Sequence, residues 1–535
     1  MSRVEKKARY RLLRKGRVVV QGISLLLFFF LFIKTDYTDS DTLEYAVNIL
    51  FRLDPLLALA TMAAVKSLLA LMFPALIIVL LCLVAGRSFC GWLCPMGALL
   101  DCWSRLLSNA GKVRETRFPN LPAVLLVFIL VSALLGLPLA GYVDPFSILV
   151  RGLSQAVYPG INDVSVSFFT YTYQQAPPLV NRITEPFYAF LQNVILPADQ
   201  KFYQWGLVSL AVLVLVFALE WYQRRFFCRN LCPLGALLGW FARLGVLDVN
   251  GGDEDCGTCR VCSARCRMGA IDADRHIDPG RCILCMDCFT ACPRQIISFD
   301  SRLPLSQATD VSLSRRRFIG SVSASLVLPA VLGTRTLALK PDPLLIRPPG
   351  ARAETEFLQR CVRCGQCMQV CITNGLQPVM LKAGVEGMFS PYLVARTGYC
   401  EYNCTLCGQV CPTGAISTLT RDEKHHVKIG HAWFDKNLCL PYAKGIPCIV
   451  CEEHCPTPEK AIQFRFTAVV DEHGETRQVK QPYVVDERCI GCGICETKCP
   501  LPGRSGIFIT SDGETRHPEN RLPSPGGEAG GYGSS

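Results

Sequence analysis

Long apolar runs fill much of the first 220 residues of this chain and then cease. Several of them are long enough, or nearly so, to cross a hydrocarbon layer of about 30 Å as a helix. The predicted spans are residues 18–33, 67–85, 121–140 and about 206–221. A further apolar stretch, residues 56–66, ends in a lysine, which predicts an interfacial or re-entrant segment.

Lysine and arginine are concentrated beside three of these runs. Eight of them precede the first span, five lie in residues 86–120, and Arg224 and Arg225 follow the fourth span. Short basic segments stay on the cytoplasmic side, so these three regions are predicted to be cytoplasmic. The acidic segment after the first span and the long loop at 141–203 are predicted to lie outside. No small-residue cleavage site follows the first run, which disfavours a secretory signal peptide.

Cysteine has the opposite distribution, since 24 of the 30 cysteines lie after residue 255. Disulfide scaffolds are short and place cysteines at loop-setting intervals, whereas these form tight C-x2-C runs. The spacing therefore indicates metal. Each four-thiolate 4Fe-4S centre carries roughly −2 when oxidised, so several centres offset the formal net charge of +11. The basic balance consequently does not predict a nucleic-acid partner.

Two consecutive C-x2-C-x2-C-x3-C runs lie between residues 256 and 292. In such runs three thiolates surround one side of a cubane and the fourth serves the neighbouring cluster. The predicted ligand sets are Cys256, Cys259, Cys262 and Cys292 for one cluster, and Cys282, Cys285, Cys288 and Cys266 for the other. Zinc is the alternative, but zinc sites normally combine two separated pairs.

Four more runs follow residue 350, with standard spacing in the outer two and a stretched first interval in the inner two. They are run 1 (Cys361, Cys364, Cys367, Cys371), run 2 (Cys400, Cys404, Cys407, Cys411), run 3 (Cys439, Cys448, Cys451, Cys455) and run 4 (Cys489, Cys492, Cys495, Cys499). Together with the two earlier runs, they predict six 4Fe-4S clusters held by 24 cysteines.

Two half-motifs accompany the apolar runs, Cys90 and Cys94 in "CGWLCP" and Cys228 and Cys232 in "CRNLCP". We call these four residues the half-motif cysteines. Each pair has the spacing C-x3-C, which is the spacing between the third and fourth cysteines of a cluster run. If the two repeats pack about a pseudo-twofold axis, the four thiols converge, which predicts a redox-active thiol site or an additional metal-linked site. The alternative is that the pairs only fix helix ends.

An Asp-Pro pair precedes each half-motif on the predicted outer side, at Asp54-Pro55 and at Asp144-Pro145. Each pair is followed by a span that ends in a half-motif. The plainer interpretation of Asp-Pro is a turn or the start of a helix. The apolar part of the chain is therefore predicted to be two copies of one unit.

The segment "SRRRFI", residues 314–319, resembles a twin-arginine export signal and precedes a weakly apolar run. A fifth span flanked by arginines is one alternative, and a cytoplasmic loop packed on protein is another. The first two interpretations place residues 340–535 outside. Export of folded domains suits a module whose metal is inserted in the cytoplasm.

With these motifs, residues 10–295 resemble the NapH type of membrane ferredoxin, and residues 314–510 resemble the NapG type of exported four-cluster ferredoxin. The chain is thus similar to a fusion of the two. The resemblance implies a quinol dehydrogenase module in which quinol, for example menaquinol, is oxidised at the membrane. Electrons would pass to a periplasmic redox enzyme of the nitrate-reductase type, a molybdenum reductase or a cytochrome.

The order standard, stretched, stretched, standard also resembles the four-cluster subunits that serve molybdenum enzymes. That resemblance implies that runs 1 and 4 exchange their last cysteines, and that runs 2 and 3 do the same. Cys499 would complete the cluster of Cys361, Cys364 and Cys367, Cys371 that of Cys489, Cys492 and Cys495, Cys455 that of Cys400, Cys404 and Cys407, and Cys411 that of Cys439, Cys448 and Cys451.

The predicted fold class is an α-helical membrane domain with four to five spans joined to α+β bacterial ferredoxin-like 4Fe-4S domains. The predicted domains are residues 1–245 (membrane), 246–305 (cytoplasmic two-cluster ferredoxin), 306–350 (signal or anchor and linker), 351–510 (periplasmic four-cluster ferredoxin) and 511–535 (a disordered tail). The predicted location is a bacterial plasma membrane with a cytoplasmic N-terminus.

Two other functions remain open. One is an assembly factor that reduces a metal or thiol during maturation of another enzyme. The other is a direct link from a cytoplasmic reductant, entering at residues 256–292, to an outer acceptor. The outward four-cluster domain favours electron transfer, because sustained flux needs a conducting chain. No nucleotide-binding glycine fingerprint or C-x-x-C-H haem motif is present, so an electron carrier rather than a self-contained enzyme is expected.

Overall fold

The protein is described by a computed structural model that covers several stretches of the chain. The described residues are 3–37, 40–107, 120–175, 177–197, 199–251, 259–272, 275–301, 319–324, 326–327, 342–470 and 476–520. Cys256, most of the twin-arginine-like segment and residues 521–535 lie outside this part. The described residues form a helical unit (residues 3–244), a two-run module (residues 247–301) and a four-run module (residues 342–520).

The helical unit contains fourteen helices within its described residues. They are α1 Arg3–Ile33, α2 Ile49–Arg52, α3 Pro55–Val65, α4 Ala75–Ala85, α5 Ser88–Trp92, α6 Pro95–Leu106, α7 Leu121–Leu134, α8 Ala140–Val143, α9 Pro145–Gly152, α10 Tyr158–Gln175, α11 Pro178–Val194, α12 Gly206–Tyr222, α13 Phe226–Asn230 and α14 Pro233–Arg243. A 3-10 turn at Ala70–Met72 and a π-helical turn at Leu153–Val157 complete the unit.

Within the described residues, α1 alone is long and apolar enough to cross a membrane. Its 31 residues extend over about 46 Å. The shorter apolar helical stretches are Pro55–Val65, Ala70–Ala85, Leu121–Leu134 and Gly206–Tyr222. The 17 residues of α12 reach about 25 Å, less than a hydrocarbon core of about 30 Å. The predicted four to five spans are therefore not confirmed.

The predicted outer loop at 141–203 is wrong as a loop, because helices α8 to α11 occupy most of it. Helix α10 packs against α11, where the ring of Phe169 stacks on that of Tyr188 with centroids 4.6 Å apart. Apolar and aromatic positions within this segment supply the contact, although no single run in it is long enough to predict a span.

Four helices of the unit begin in the same way, α3 at Asp54-Pro55, α6 at Cys94-Pro95, α9 at Asp144-Pro145 and α14 at Cys232-Pro233. Proline occupies the first helical position, where its missing N–H costs nothing and its fixed φ suits a helix. The side chain before it caps the helix. Asp54 accepts from Leu56 N at 2.7 Å, and Asp144 accepts from Ser147 N at 2.7 Å. Each repeated unit therefore has a helix start at its Asp-Pro pair and another at its half-motif.

Replacing Asp144 by alanine is expected to lower the stability of the protein by about 0.5–2 kcal/mol, because it removes the cap. Asp144→Asn keeps an acceptor oxygen and should lose less. The thermal midpoint of the purified protein measures both changes. Equal losses in the two variants would contradict a capping role and would assign the effect to the carboxylate charge.

The two-run module contains a two-stranded antiparallel sheet and two short helices. Strand β1 (Leu247–Asn250) pairs with β2 (Ser298–Ser301), and the helices are α15 (Val261–Arg265) and α16 (Asp287–Ala291). Its small core includes Phe289, which is 2 % exposed and lies 4.6 Å from the ring of Tyr10 in α1. The start of α1 is therefore part of the packing of this module.

The four-run module is built from short helices and three antiparallel strand pairs within its described residues. Its helices are α17 Glu354–Arg360, α18 Gln366–Gln369, α19 Gly384–Gly387, α20 Leu406–Gln409, α21 Arg421–His426, α22 Leu440–Ala443, α23 Val450–Glu453 and α24 Ile494–Lys498. Its strands are β3 Leu376–Pro378 paired with β4 Pro391–Leu393, β5 His431–Phe434 with β8 Ile507–Thr510, and β6 Ile462–Val470 with β7 Thr476–Val484.

The prediction of disorder from residue 511 onward is wrong as far as residue 520. Arg516 Nη1 lies 2.7 Å from a carboxylate oxygen of Glu354, and Thr515 N donates to Lys428 O at 2.8 Å. Burial alone would raise the pKa of Glu354, but Arg347 and Arg516 lower it to about 2. A buried ion-pair network therefore fixes a segment whose composition suggests a solvated tail.

The two modules lie at opposite ends of the helical unit, and α1 shows this directly. Tyr10, near the start of α1, contacts Phe289 of the two-run module. Near its end, the carbonyl of Phe32 accepts a hydrogen bond from Gln369 Nε2 of the four-run module at 2.8 Å. Twenty-two residues of helix separate these two contacts, or about 33 Å. That separation is comparable to the thickness of a bilayer core.

Candidate iron-sulfur sites and the thiols between them

The cysteines of the two-run module form two groups, each lining its own cavity. Cys259, Cys262 and Cys292 line a cavity of about 450 Å³, and Cys266, Cys282, Cys285 and Cys288 line one of about 380 Å³. The fourth member predicted for the first group, Cys256, lies outside the described residues. Cys292 thus lies with the two described cysteines of the first run, and Cys266 lies with the first three cysteines of the second run, in agreement with the exchange predicted from the spacing.

Local backbone conformation explains this grouping. Each short helix carries the third cysteine of its run and ends immediately before the fourth. The fourth cysteine is extended and its side chain therefore points away from its own run. Leu284 and Met286 adopt positive φ values of 50° and 62°, which lets residues 282–288 curl around their cavity.

The four-run module groups its cysteines differently from the arrangement implied by resemblance. Cys361, Cys364 and Cys367 share a cavity of about 370 Å³ with Cys411, and Cys371 shares one of about 430 Å³ with Cys400, Cys404 and Cys407. Run 1 therefore exchanges its last cysteine with run 2, and the implied partners Cys499 and Cys455 are wrong for these two groups.

Runs 3 and 4 form the other exchanging couple. Burial and the neighbouring Cys448 and Cys499 raise the pKa of Cys439 to about 12. Burial also raises the pKa of Cys495, with contributions from Cys492, Cys489, Cys451 and Cys455. Gly506 N donates to Cys499 Sγ at 3.4 Å, and a side chain on Gly506 would collide with Cys439, so Cys499 lies beside run 3. Cys411 lies with run 1 and Cys371 with run 2, so the roles implied for them in runs 3 and 4 are also wrong.

The correction has a simple physical cause. Helix α18 of run 1 packs on α20 of run 2, and α23 of run 3 packs on α24 of run 4. Runs that are adjacent in the chain form a compact couple, as in the two-run module, and the couples then meet where Cys400 N donates to Cys492 O at 2.8 Å. Loop closure between neighbouring runs costs less entropy than closure over the whole module.

The donor sets fit 4Fe-4S clusters. Among the described residues, no group of three or more cysteine, histidine or carboxylate side chains is close enough to hold a single metal ion. A cubane places each thiolate on a different iron atom, and each described cavity brings together three or four cysteines from two runs. Burial raises the pKa of thiols such as Cys282, to about 12, so these groups need bound cations to become thiolates.

The four-run module packs on the helical unit through run 1. Ser147 Oγ donates to Val362 O at 3.4 Å, and Arg151 Nη1 donates to Arg363 O at 3.2 Å. Cys364 is 7 % exposed and belongs to the same apolar core as the helices. A side chain at Gly141 would collide with the carbonyl of Val362. One cysteine group therefore lies against the helical unit itself.

The two-run module packs on the opposite end, at the half-motifs. Arg87 Nη1 donates to Gly280 O at 2.8 Å, and Trp92 Nε1 donates to Leu284 O at 3.0 Å. A side chain at Gly91 would collide with the carbonyl of Ile283. Two of the half-motif cysteines also contact the module, since Cys90 and Cys228 pack against the small group of buried apolar side chains that includes Cys266 and Cys285.

A buried carboxylate joins these elements. Asp101 of α6 lies 3.3 Å from Arg17 in α1, 2.8 Å from Arg225 and 2.8 Å from Arg267 of the two-run module. Burial would raise the pKa of Asp101, but Arg225, Arg267 and Arg17 hold it well below its usual range. Asp101 therefore fixes the first helix, the second half-motif and the two-run module relative to one another.

The half-motif cysteines belong to one apolar core, in which Cys94 and Cys232 are buried and against which Cys90 and Cys228 pack. Cys94 and Cys232 are buried, and their Sγ atoms accept from Gly97 N at 3.5 Å and Gly235 N at 3.3 Å. These two thiols therefore do fix helix ends. Cys90 and Cys228 lie inside the short helices α5 and α13, so capping does not account for them.

Several residues of these sites escape the sequence reasoning, among them Asp101, Arg87 and Arg225. The two arginines have a signal that spacing could have revealed, because each precedes the first cysteine of its half-motif by three residues. Asp101 has none, because its partners are 84, 124 and 166 residues away in the chain.

Comparison with known proteins agrees with this geometry. The family described as "4Fe-4S binding domain" matches residues 67–113, 204–250 and 407–438, and the NosR family matches residues 254–295. The first two segments contain the half-motifs, and the NosR match covers both cysteine runs of the two-run module. No solved structure matches the chain. The cysteine groups and these matches define a ferredoxin-type 4Fe-4S electron-transfer protein, as predicted.

Curated relatives identify the family more narrowly. The ferredoxin-type protein NapG of Escherichia coli (strain K12) is 32% identical over 168 residues, 30% of this chain and 71% of the relative. The methylamine utilization ferredoxin-type protein MauM of Methylorubrum extorquens is 34% identical over 162 residues, 29% of this chain and 67% of the relative. Protein NirI of Paracoccus denitrificans is 33% identical over 205 residues, 38% of this chain but 24% of the relative. The chain belongs to the family of ferredoxin-type proteins that contains NapG and MauM.

Proposed function

We propose that this protein carries electrons from the quinol pool of a bacterial plasma membrane to a periplasmic redox enzyme of the nitrate-reductase type. The observation that carries the proposal is the placement of two cysteine-rich modules at opposite ends of one helical unit. Contacts near the two ends of α1 separate them by about 33 Å. A carrier with this geometry connects the two faces of a membrane.

The orientation follows from charge and from α1. The basic start of α1 belongs with the two-run module, which we assign to the cytoplasmic side. The four-run module then lies on the periplasmic side, whether residues 314–333 act as an export signal or as a further span. The NapH-like helical unit and the shorter apolar helices would complete the membrane part, with neighbouring helices covering their polar ends.

The protein's own residues position the redox groups and exclude water. When bound, 4Fe-4S clusters each take up and release one electron. Arg151, Ser147 and Gly141 hold run 1 against the helices, so that Cys364 is buried in the same core as α9. Quinol oxidised within the apolar unit would release two electrons and two protons, and run 1, whose Cys364 lies in the same core, would receive the electrons.

Reduction by menaquinol in native membranes tests this proposal. Menaquinol is expected to bleach the visible absorbance of the clusters in membranes that contain the whole protein. Gly141→Val should slow this reduction at least about tenfold, because the new side chain collides with Val362 and displaces run 1. Dithionite should still reduce every cluster in the variant.

Gly160→Val is the matched control, because a side chain at Gly160 in α10 meets nothing within 4 Å. It should leave the rate of reduction by menaquinol unchanged. Wild-type membranes bleached by dithionite but not by menaquinol would refute quinol as the donor. Bleaching by a cytoplasmic reductant alone would instead favour the direct link through residues 256–292.

A further inference from the structure

The half-motif cysteines lie within electrostatic range of one another across the two repeats. Burial, then Cys90 and Cys228, raises the pKa of Cys94, while burial, then Cys228, Cys90 and Cys94, raises that of Cys232. The packing agrees: Cys94 and Cys232 belong to one apolar core, Cys90 and Cys228 pack against it, and Arg225 Nη1 of the second repeat donates to Cys90 O at 3.1 Å. Each repeat contributes two thiols to one place in the fold.

The backbone at the half-motifs copies the cluster runs. Cys94 has φ −66° and ψ 117°, and Cys292, the last ligand of its run, has φ −65° and ψ 117°. Cys232, at φ −75° and ψ 108°, matches Cys266 at φ −72° and ψ 107°. Asp54 and Asp144, which also precede a proline and cap a helix, have a similar extended conformation, so this backbone suits both a helix cap and a cluster ligand.

The hydrogen bonds are copied as well. Cys266 Sγ accepts from Ala270 N at 3.3 Å, just as Cys232 Sγ accepts from Gly235 N at 3.3 Å. A 4Fe-4S cluster takes four cysteine thiolates, so the two cysteines of one half-motif cannot hold a cluster by themselves. The two repeats together supply a third and a fourth cysteine twice, which makes four ligands.

Positive charge surrounds these thiols. Arg87 is 5 % exposed, has no carboxylate partner among the described residues, and its Nε makes no hydrogen bond there. Its Nη2 lies beside Gly235 of the other repeat, and the equivalent Arg225 reciprocates beside Gly97. A buried cation without an anion costs several kcal/mol, so the charge of Arg87 is not offset, whereas that of Arg225 is met by Asp101.

Two helix N-termini add to this field. Helices α6 and α14, with 12 and 11 residues, begin immediately after Cys94 and Cys232 and direct their positive ends at the thiols. Four thiolates around an oxidised 4Fe-4S core carry roughly −2, which would offset the unpartnered Arg87 and both helix ends. Four neutral thiols would offset nothing.

We propose that Cys90, Cys94, Cys228 and Cys232 together bind an additional 4Fe-4S cluster, one that neither repeat could hold alone. The 4Fe-4S family match at 204–250 contains only two cysteines, so it needs the other repeat to complete a cubane. Arg87 and Arg225 hold the site electrostatically, each reaching across from its own repeat.

The position of this site gives it a role within the proposed electron transfer. Cys90 and Cys228 pack beside Cys266 and Cys285 on one side. On the other side, the rings of Phe89 and Phe146 lie 6.1 Å apart. Phe146 is in the first turn of α9, the helix that contacts run 1. The site therefore lies between the two modules and couples them by exchange of one electron at a time. This role rests on the proposed function, but binding of the cluster does not.

Iron and sulfide counting on the whole protein, purified anaerobically from membranes, tests the proposal. Native mass spectrometry of the wild type should show seven clusters, one more than the 24 cysteines of the six full runs can hold. A mass for six clusters, or four half-motif thiols that alkylate freely in the native protein, would overturn it. So would an increment of two irons, which indicates a 2Fe-2S centre.

Variants locate the extra cluster. Cys94→Ser with Cys232→Ser should lower iron by about four atoms per chain and remove one signal from the electron paramagnetic resonance spectrum of the reduced protein. Cys102→Ser is the matched control, because Cys102 lies on the same helix but is exposed, and its iron should not change. Unchanged iron in the double variant would also overturn the proposal.

Failure of this proposal is distinguishable from failure of the proposed function. Iron content and the mass of the native protein do not depend on quinol. A protein with seven clusters that menaquinol does not reduce would refute the donor and keep the site, whereas six clusters reduced by menaquinol would do the reverse. If the double variant loses more than one cluster, the native mass of the wild-type protein alone decides whether it holds seven clusters or six.

Discussion

Asp101→Ala is expected to destabilise the protein by about 3–5 kcal/mol, enough to prevent most of it from accumulating in folded form. The substitution leaves Arg17, Arg225 and Arg267 without their shared carboxylate in a buried site. The midpoint of thermal loss of cluster absorbance, measured on whole protein in detergent, reports the effect. A loss below about 1 kcal/mol would show that the arginines find other partners.

Asp278→Asn is the matched control, because Asp278 pairs with Arg243 at 3.3 Å with both side chains more than a quarter exposed. Such pairs contribute about 0–1 kcal/mol. The pH dependence gives a second check. The pKa of Asp101 is lowered on folding, so its contribution is complete above the unfolded pKa of about 3.9 and is lost as pH falls through the folded pKa. The stability difference between wild type and Asp101→Asn should therefore be constant from about pH 5 to 8.

Cys411→Ala is expected to abolish the cluster of run 1, with loss of about four irons, and to leave run 3 intact. The reason is that Cys411 lies with Cys361, Cys364 and Cys367 in one cavity. Alkylation of the native variant followed by peptide mapping should therefore label run 1. The arrangement implied by resemblance gives the opposite result, labelling of run 3.

Cys499→Ala provides the reciprocal variant. Cys499 lies beside Cys439, so run 3 should become open to alkylation while run 1 stays protected. Labelling of run 1 in Cys499→Ala, together with run 3 in Cys411→Ala, would restore the outer-with-outer and inner-with-inner exchange. Labelling of all four runs in either variant would show that the module does not fold without a complete set of ligands. Labelling at lower temperature would then distinguish runs 1 and 2 from runs 3 and 4.

Much of the cluster chemistry is visible in the sequence because it is local. The spacing of Cys282, Cys285 and Cys288 alone places three thiols around one cavity, and the structure shows them there. Proline after Asp54 or Cys94 predicts a helix start, and each of these residues caps a helix. The ferredoxin class is confirmed for the same reason, since runs of cysteines define it before any folding is known.

The number of membrane spans stays a prediction. Apolar runs predict four or five helices that cross a membrane, yet only α1 meets that length within the described residues. Composition counts apolar residues without regard to breaks, whereas α4 begins only after Pro74 and α7 ends before the turn at Gly136, which has φ 91°. The tail differs from its prediction because it is more ordered than its polar composition suggests. Arg516 pairs with Glu354, which lies 162 positions away in the chain, and this pair orders the segment.

The sequence by itself determined which cysteines can bind clusters, that the half-motifs repeat, and where helices begin, because each depends on residues within one or two turns. Only the tertiary structure decided that Cys411 rather than Cys499 completes run 1, that Asp101 gathers three arginines, and that Arg87 and Arg225 cross between repeats. Those contacts join residues far apart in the chain. Their energies depend on burial and on charge brought together by packing, and neither has a local signature.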